Sequence, residues 1–197
     1  MQFVKKWIEM QHPWSIELVI TVLIFIGIAF CICQRISSLW KWERKKFFVM
    51  WALIDYMIVV FAATIFSRSK LPKYSYELEF LWTYRRGIAY QRGIVICDIV
   101  FNVLMLLPVG LCLPMLIGAK NKKRLWVGCI TVCVGFGISF MIEMLQLVLR
   151  RGFFEFDDIF HNTLGVLIGF FLYCGIVKMK ENLHYKESAH AEKSNDK

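Results

Sequence analysis

Residues 125–177 read LWVGCITVCVGFGISFMIEMLQLVLRRGFFEFDDIFHNTLGVLIGFFLYCGIV: two long apolar runs joined by a short turn that carries both basic and acidic side chains. At ~1.5 Å rise per residue, about 20 apolar residues cross the ~30 Å hydrocarbon layer of a bilayer, so the runs at 125–149 and 158–177 each have the length of a membrane-crossing helix. The turn between them is too short for anything but a reversal, which makes the two helices antiparallel neighbours.

Working outward, three more runs of the same kind lie at 14–33, 47–66 and 94–117, each bounded by basic or polar residues. The expectation is an all-α, polytopic transmembrane helix bundle of about five spans, residues 1–177, followed by a polar tail at 178–197. The first run follows Lys5 and Lys6 but is long and has no small-residue cleavage pattern after it, so it reads as a retained anchor rather than a secretion signal.

The chain has 197 residues, of which 58% are hydrophobic, and a formal net charge of +9. In a soluble protein that charge would suggest nucleic acid. Here the Lys and Arg residues sit in short loops beside apolar runs, where anionic lipid head groups are the natural partner, and no nucleic acid is expected. The seven cysteines lie within or at the ends of the runs, without metal-ligand spacing, and read as small packing residues. No metal or cofactor is expected.

Summing Lys and Arg by side, the loop at 34–46, the loop at 118–124 and the tail together outnumber the amino terminus, the loop at 67–93 and the turn at 150–157. The positive-inside rule then puts the amino terminus outside and the tail in the cytoplasm. The tail mixes Lys, Glu, Asn, Ser and His with few large apolar residues, so it is expected to be disordered. In the loop, residues 74–84 read YSYELEFLWTY, with apolar side chains at every second position. That alternation suits a strand or an extended segment at the membrane interface.

Polar side chains inside the runs are the informative departure, because an ionisable group in hydrocarbon costs a few kcal/mol or more and needs a partner, a wet cavity or a task. Asp98 and Asn102 are four apart on the third run. Ser139, Glu143, Gln146 and Arg150 form one helical stripe on the fourth. Asp158 and Asn162 are four apart on the fifth, with His161 beside them. Counted from the outer ends, Asn102, Glu143 and Asn162 lie about 12, 9 and 6 Å deep, in one layer. Glu17 near the outer end of the first run can join them, whereas Asp55 in the second lies nearer the midplane. Asn and Gln alone often serve as interhelical glue; charged Glu143, Arg150, Arg151, Asp157 and Asp158 are expensive glue, and point to a functional pocket.

Gly165 and Gly169 make a small-xxx-small pattern for close helix packing, as do Gly135, Gly137 and Ser139. Pro108 and Pro114 free carbonyls in the third run.

FNVLMLLPVGLCLP in the third run, IEMLQLVLRRG ending the fourth and FEFDDIFHNTLGVLIG entering the fifth occur in an order that resembles the VanZ-like family of bacterial membrane proteins over residues 94–170. Asn102, Pro108 and Gly110 match the first motif; Glu143, Gln146 and Arg150 or Arg151 the second; Asp158, Asn162, Gly165 and Gly169 the third. Before residue 94 only Arg68 and the stretch FLWTYRR are similar, and the doubled Arg150-Arg151 leaves open which arginine corresponds. The resemblance implies reduced susceptibility to teicoplanin-type lipoglycopeptides in Gram-positive envelopes, without a settled reaction.

Three function classes follow. One is a non-enzymatic envelope protein whose outward polar pocket binds a lipid-linked cell-wall precursor or the lipoglycopeptide, its arginines holding phosphate or carboxylate. Another is an intramembrane enzyme in which Glu143, Asp157, Asp158 and His161 bind a divalent cation or act as acid and base on a lipid head group, although no HExxH, phosphate loop or nucleophile elbow is present. A third, a small transporter, lacks internal repeats and would need a homo-oligomer, which the small-residue faces permit.

Overall fold

The structure, a computed structural model, describes residues 44–86, 92–118 and 124–195. The first apolar run, with Glu17, lies outside the described residues. In chain order come α1 (Arg44–Phe61), a π-helical turn (Ala62–Phe66), β1 (Tyr76–Glu77), α2 (Trp82–Arg86), α3 (Arg92–Ile117), α4 (Arg124–Leu149), β2 (Phe154–Glu155) and α5 (Phe156–Asn195). Four of these helices are long and apolar enough to cross a membrane: 45–66, 95–117, 124–149 and the 156–186 part of α5. They are the second to fifth runs of the sequence, and they pack as an all-α bundle.

The bundle is built on α3 and α5, and its glycines explain why. A Cβ on Gly165 would lie 1.9 Å from the Val103 carbonyl oxygen, one on Gly110 2.0 Å from that of Val166, and one on Gly169 2.2 Å from that of Leu107. The two backbones therefore touch, which only residues without a side chain allow. Small-residue packing extends to α4, where Gly135 faces the Val166 side chain, but Gly137 faces open space. Leu106, Val109 and Val166 form one buried cluster, packed by Leu53, Met57, Met105 and Ile138; Val127, Phe170 and Tyr173 form another nearer the opposite end. Tyr56 of α1 donates to the Met105 carbonyl at 2.7 Å, tying α1 to the proline-bearing helix α3.

α4 ends in a Schellman pattern. The Arg151 amide donates to the Gln146 carbonyl at 2.8 Å and the Arg150 amide to that of Leu147 at 3.0 Å, with Arg150 at φ 55° in the position usually given to glycine. This reversal brings β2 beside β1, Tyr76 opposite Phe154 and Glu77 opposite Glu155. The extended character expected for 74–84 is thus confined to two paired residues, and the segment then turns helical at Trp82. Its alternating apolar side chains Tyr74, Tyr76, Leu78 and Phe80 are all more than half exposed, an apolar row on the same side of the bundle as the α4–α5 turn.

The tail differs from the disorder expected of it: α5 continues to Asn195. A polar segment of this composition does not fold alone, but a helix already nucleated by the packed part of α5 propagates without a second nucleation cost. An ion pair of 2.7 Å between Arg124 and Glu181 holds its first turns against the start of α4. Cys97, Cys112, Cys129, Cys133 and Cys174 are free thiols.

Candidate functional site

Three helices and one loop supply the polar layer. On α3, Asn102 donates its side-chain amide to Asp158 Oδ1 on α5 at 2.6 Å. On α4, Glu143 is 2% exposed, and its Oε2 accepts the backbone amide of Glu155 at 3.1 Å, so the carboxylate holds the β2 turn from below. One turn deeper, the fully buried Asn162 donates to Ser139 Oγ at 2.9 Å, joining α5 to α4. The remaining oxygen of Asn162, also buried, has no hydrogen-bond partner. Three of the expected residues, Asn102, Glu143 and Asp158, with Asn162 beneath them, are brought together as their helical spacing suggested.

Arg68 is the cation of this layer. Its guanidinium lies within electrostatic reach of both Glu143 and Asp158, and its Nε is buried without a partner. The π turn places it there. The Ser67 backbone amide donates to the Ala62 carbonyl at 2.9 Å, five residues back, which widens the last turn of the helix. The exposed end of that turn is then held by α4: Gln146 Nε2 donates to the Thr64 carbonyl at 3.2 Å, and Arg151 Nη1 donates to that of Phe66 at 2.7 Å and, at 3.4 Å, to that of Ile65. Gly152 fits tightly between Gln146 and Arg68, where a Cβ would meet their side chains at 2.8 and 3.0 Å.

The two arginines of the turn are thereby separated. Arg151 holds the π turn. Arg150 reaches the loop, donating from Nη1 to the Pro72 carbonyl at 3.3 Å, with its guanidinium 5.7 Å from the Tyr74 ring centre, while its own carbonyl accepts the Leu71 amide at 2.6 Å. Both support the chain around the site.

Asp157 and His161 face the loop. Asp157, 2% exposed, accepts the amides of Leu81 at 2.7 Å and Thr83 at 2.8 Å, capping α2 from outside its own helix. Leu81 takes φ 67°, an unusual conformation for leucine, to present its amide. His161 Nε2 and the Tyr84 hydroxyl lie 2.9 Å apart, and Phe80 packs edge-on against Phe160. These contacts latch the loop over the first turn of α5. Asp98 is half-buried one turn from Asn102, within electrostatic reach of Asp158.

Thr64 and Glu155 carry no signal of their own in the sequence, because they act through backbone groups, whereas Thr83 and Tyr84 lie in the FLWTYRR stretch, whose similarity marks the segment but not their partners. Among the described residues no three His, Cys, Asp or Glu side chains gather closely enough to hold a metal ion.

No curated protein and no solved structure matches the chain significantly. A family model described as VanZ/LLP1 matches residues 18–178, which includes the first three described spans, the fourth as far as residue 178, and every residue of the polar layer. With apolar helices of membrane-crossing length and these motifs assembled at one level, the chain is a membrane protein and belongs to the VanZ/LLP1 family.

Proposed function

We propose that this protein lowers susceptibility to teicoplanin-type lipoglycopeptides in a Gram-positive envelope by binding an envelope ligand, a lipid-linked precursor or the lipopeptide itself, in an outward-facing polar site within the membrane. The observation that carries the reading is the convergence of Glu143, Asp158, Asn102 and Arg68 from three helices and a loop. Charged groups gathered in hydrocarbon where Ser or Asn would suffice for packing are the mark of a polar visitor. The loop with the aromatic row Tyr74, Tyr76, Leu78 and Phe80 lies beside the site and offers it an amphipathic rim.

The test is a susceptibility assay in a host expressing Glu143→Gln or Asp158→Asn. Both variants are expected to lose protection against teicoplanin at unchanged membrane abundance. Protection that survives both changes rejects the proposal.

The same pair of carboxylates favours a second reading, an intramembrane enzyme that uses Glu143 and Asp158 as acid and base on a lipid head group. Its signature is a changed lipid or peptidoglycan precursor in extracts of expressing cells, absent with Glu143→Gln. An unchanged extract removes it.

A further inference from the structure

Among the described residues, the polar layer is short of donors and of positive charge. Asn102 and the Glu155 amide each satisfy one carboxylate oxygen, Asn162 gives its amide hydrogens to Ser139, and Asn162 Oδ1, fully buried, is left without any donor. Asp157 is answered by two loop amides, and Asp98 and Glu155 have contacts of their own. Among the described residues, Glu143 and Asp158, with Asp98, Asp157 and Glu155 around them, share the guanidinium of Arg68 as their cation. Among the described residues, no cation lies within 4.0 Å of either carboxylate, and Arg150 and Arg151 are engaged with carbonyls.

Resting on the binding reading above, we propose that the chemical group recognised here is a protonated primary amine of a membrane amphiphile, held between Glu143 and Asp158 over the side-chain carbonyl of Asn162. An ammonium brings a positive charge to a cluster in which carboxyl groups outnumber the Arg68 guanidinium, and three N–H donors, which two carboxylates and one amide oxygen can accept. Neutrality matters because a net charge in hydrocarbon is costly. Protonating one carboxyl supplies a single donor and no positive charge, against the three donors and the charge of an ammonium. Arg68 Nε, itself without a partner, is placed for a carbonyl or anionic oxygen elsewhere on the same molecule.

A quaternary ammonium supplies the charge without N–H donors, and an alcohol supplies a donor without the charge, so three single-chain probes separate the possibilities. The full-length protein in phosphatidylcholine nanodiscs is titrated with dodecylamine, dodecyltrimethylammonium or dodecanol while the unfolding temperature is followed, since a ligand that binds only the folded state raises it. Dodecylamine is expected to give a saturable rise that the other two do not, and Glu143→Gln and Asp158→Asn are expected to lose that rise. If neither variant folds, the wild-type series decides alone. Equal shifts with the trimethylammonium or the alcohol, or no shift with dodecylamine, overturn the proposal. Lost teicoplanin protection in Glu143→Gln cells without amine selectivity rejects the amine and keeps the site. Amine selectivity with protection intact in the variants keeps the amine and rejects the role in resistance.

Discussion

The side-chain amide of Asn102 and the carboxylate of Asp158 meet across α3 and α5 at 2.6 Å, beside the close approach of Gly165 to the Val103 carbonyl. A hydrogen bond to a charged group in this position contributes more than one between neutral groups. Asn102→Ala is expected to cost about 1–3 kcal/mol in detergent-solubilised unfolding. A double-mutant cycle with Asp158→Ala should show coupling; strictly additive losses would mean the bond contributes nothing.

Glycine substitutions should divide by what a side chain would strike. Gly165→Ala drives a methyl group into the Val103 carbonyl, and overpacking of this sort costs about 1–3 kcal/mol. Gly137→Ala meets nothing within 4 Å, and should raise stability by about 0.5–1 kcal/mol through helix propensity alone. Thermal unfolding of the two variants side by side tests this, and equal losses would refute it.

Arg150 and Arg151 are predicted to differ sharply. Arg151→Gln removes charge-assisted bonds to the end of the π turn and should lower stability by about 1.5–3 kcal/mol. Arg150→Gly relieves a left-handed residue while losing an exposed contact to Pro72 and Tyr74, and these nearly offset, leaving a net change within about 0.5 kcal/mol. A teicoplanin assay on both variants then identifies the arginine that matters, expected to be Arg151.

Asp157→Ala leaves the Leu81 and Thr83 amides without their acceptor, so the loop should detach while the helices remain folded. Limited proteolysis at Lys70, Lys73 and Arg85 should speed up severalfold, with an unchanged helical circular dichroism signal. Tyr84→Phe, which removes only the contact to His161, should have a smaller effect. Cleavage at the wild-type rate in Asp157→Ala would show that the loop is held by other contacts.

The spans were legible because hydropathy and length are one-dimensional properties: three of the described spans fall within a few residues of the apolar runs, and the fourth begins there but runs on to residue 186. The site was legible where partners share a helical face, as Asp158 and Asn162 do, since spacing alone stacks them. Asp157 stands next to Asp158, and sequence spacing did not separate them; one serves a distant loop and the other the polar layer, because adjacent helical positions point about 100° apart. Arg68 stood out only by family similarity. Its placement depends on a π turn, one extra residue whose cause is tertiary, namely carbonyls held by Gln146 and Arg151. The helical tail was missed for a related reason, as composition describes a segment in isolation and not one continuing a formed helix.

Because the main chains of α3 and α5 press directly on one another from Val103 to Gly169, neither can roll or slide past the other without a collision that no side-chain rotation can relieve. The pair acts as a fixed post. An opening that admits a guest to Glu143 therefore comes from what surrounds that post, the loop latched at Asp157, α4 or α1, where the contacts are flexible side chains and a few hydrogen bonds.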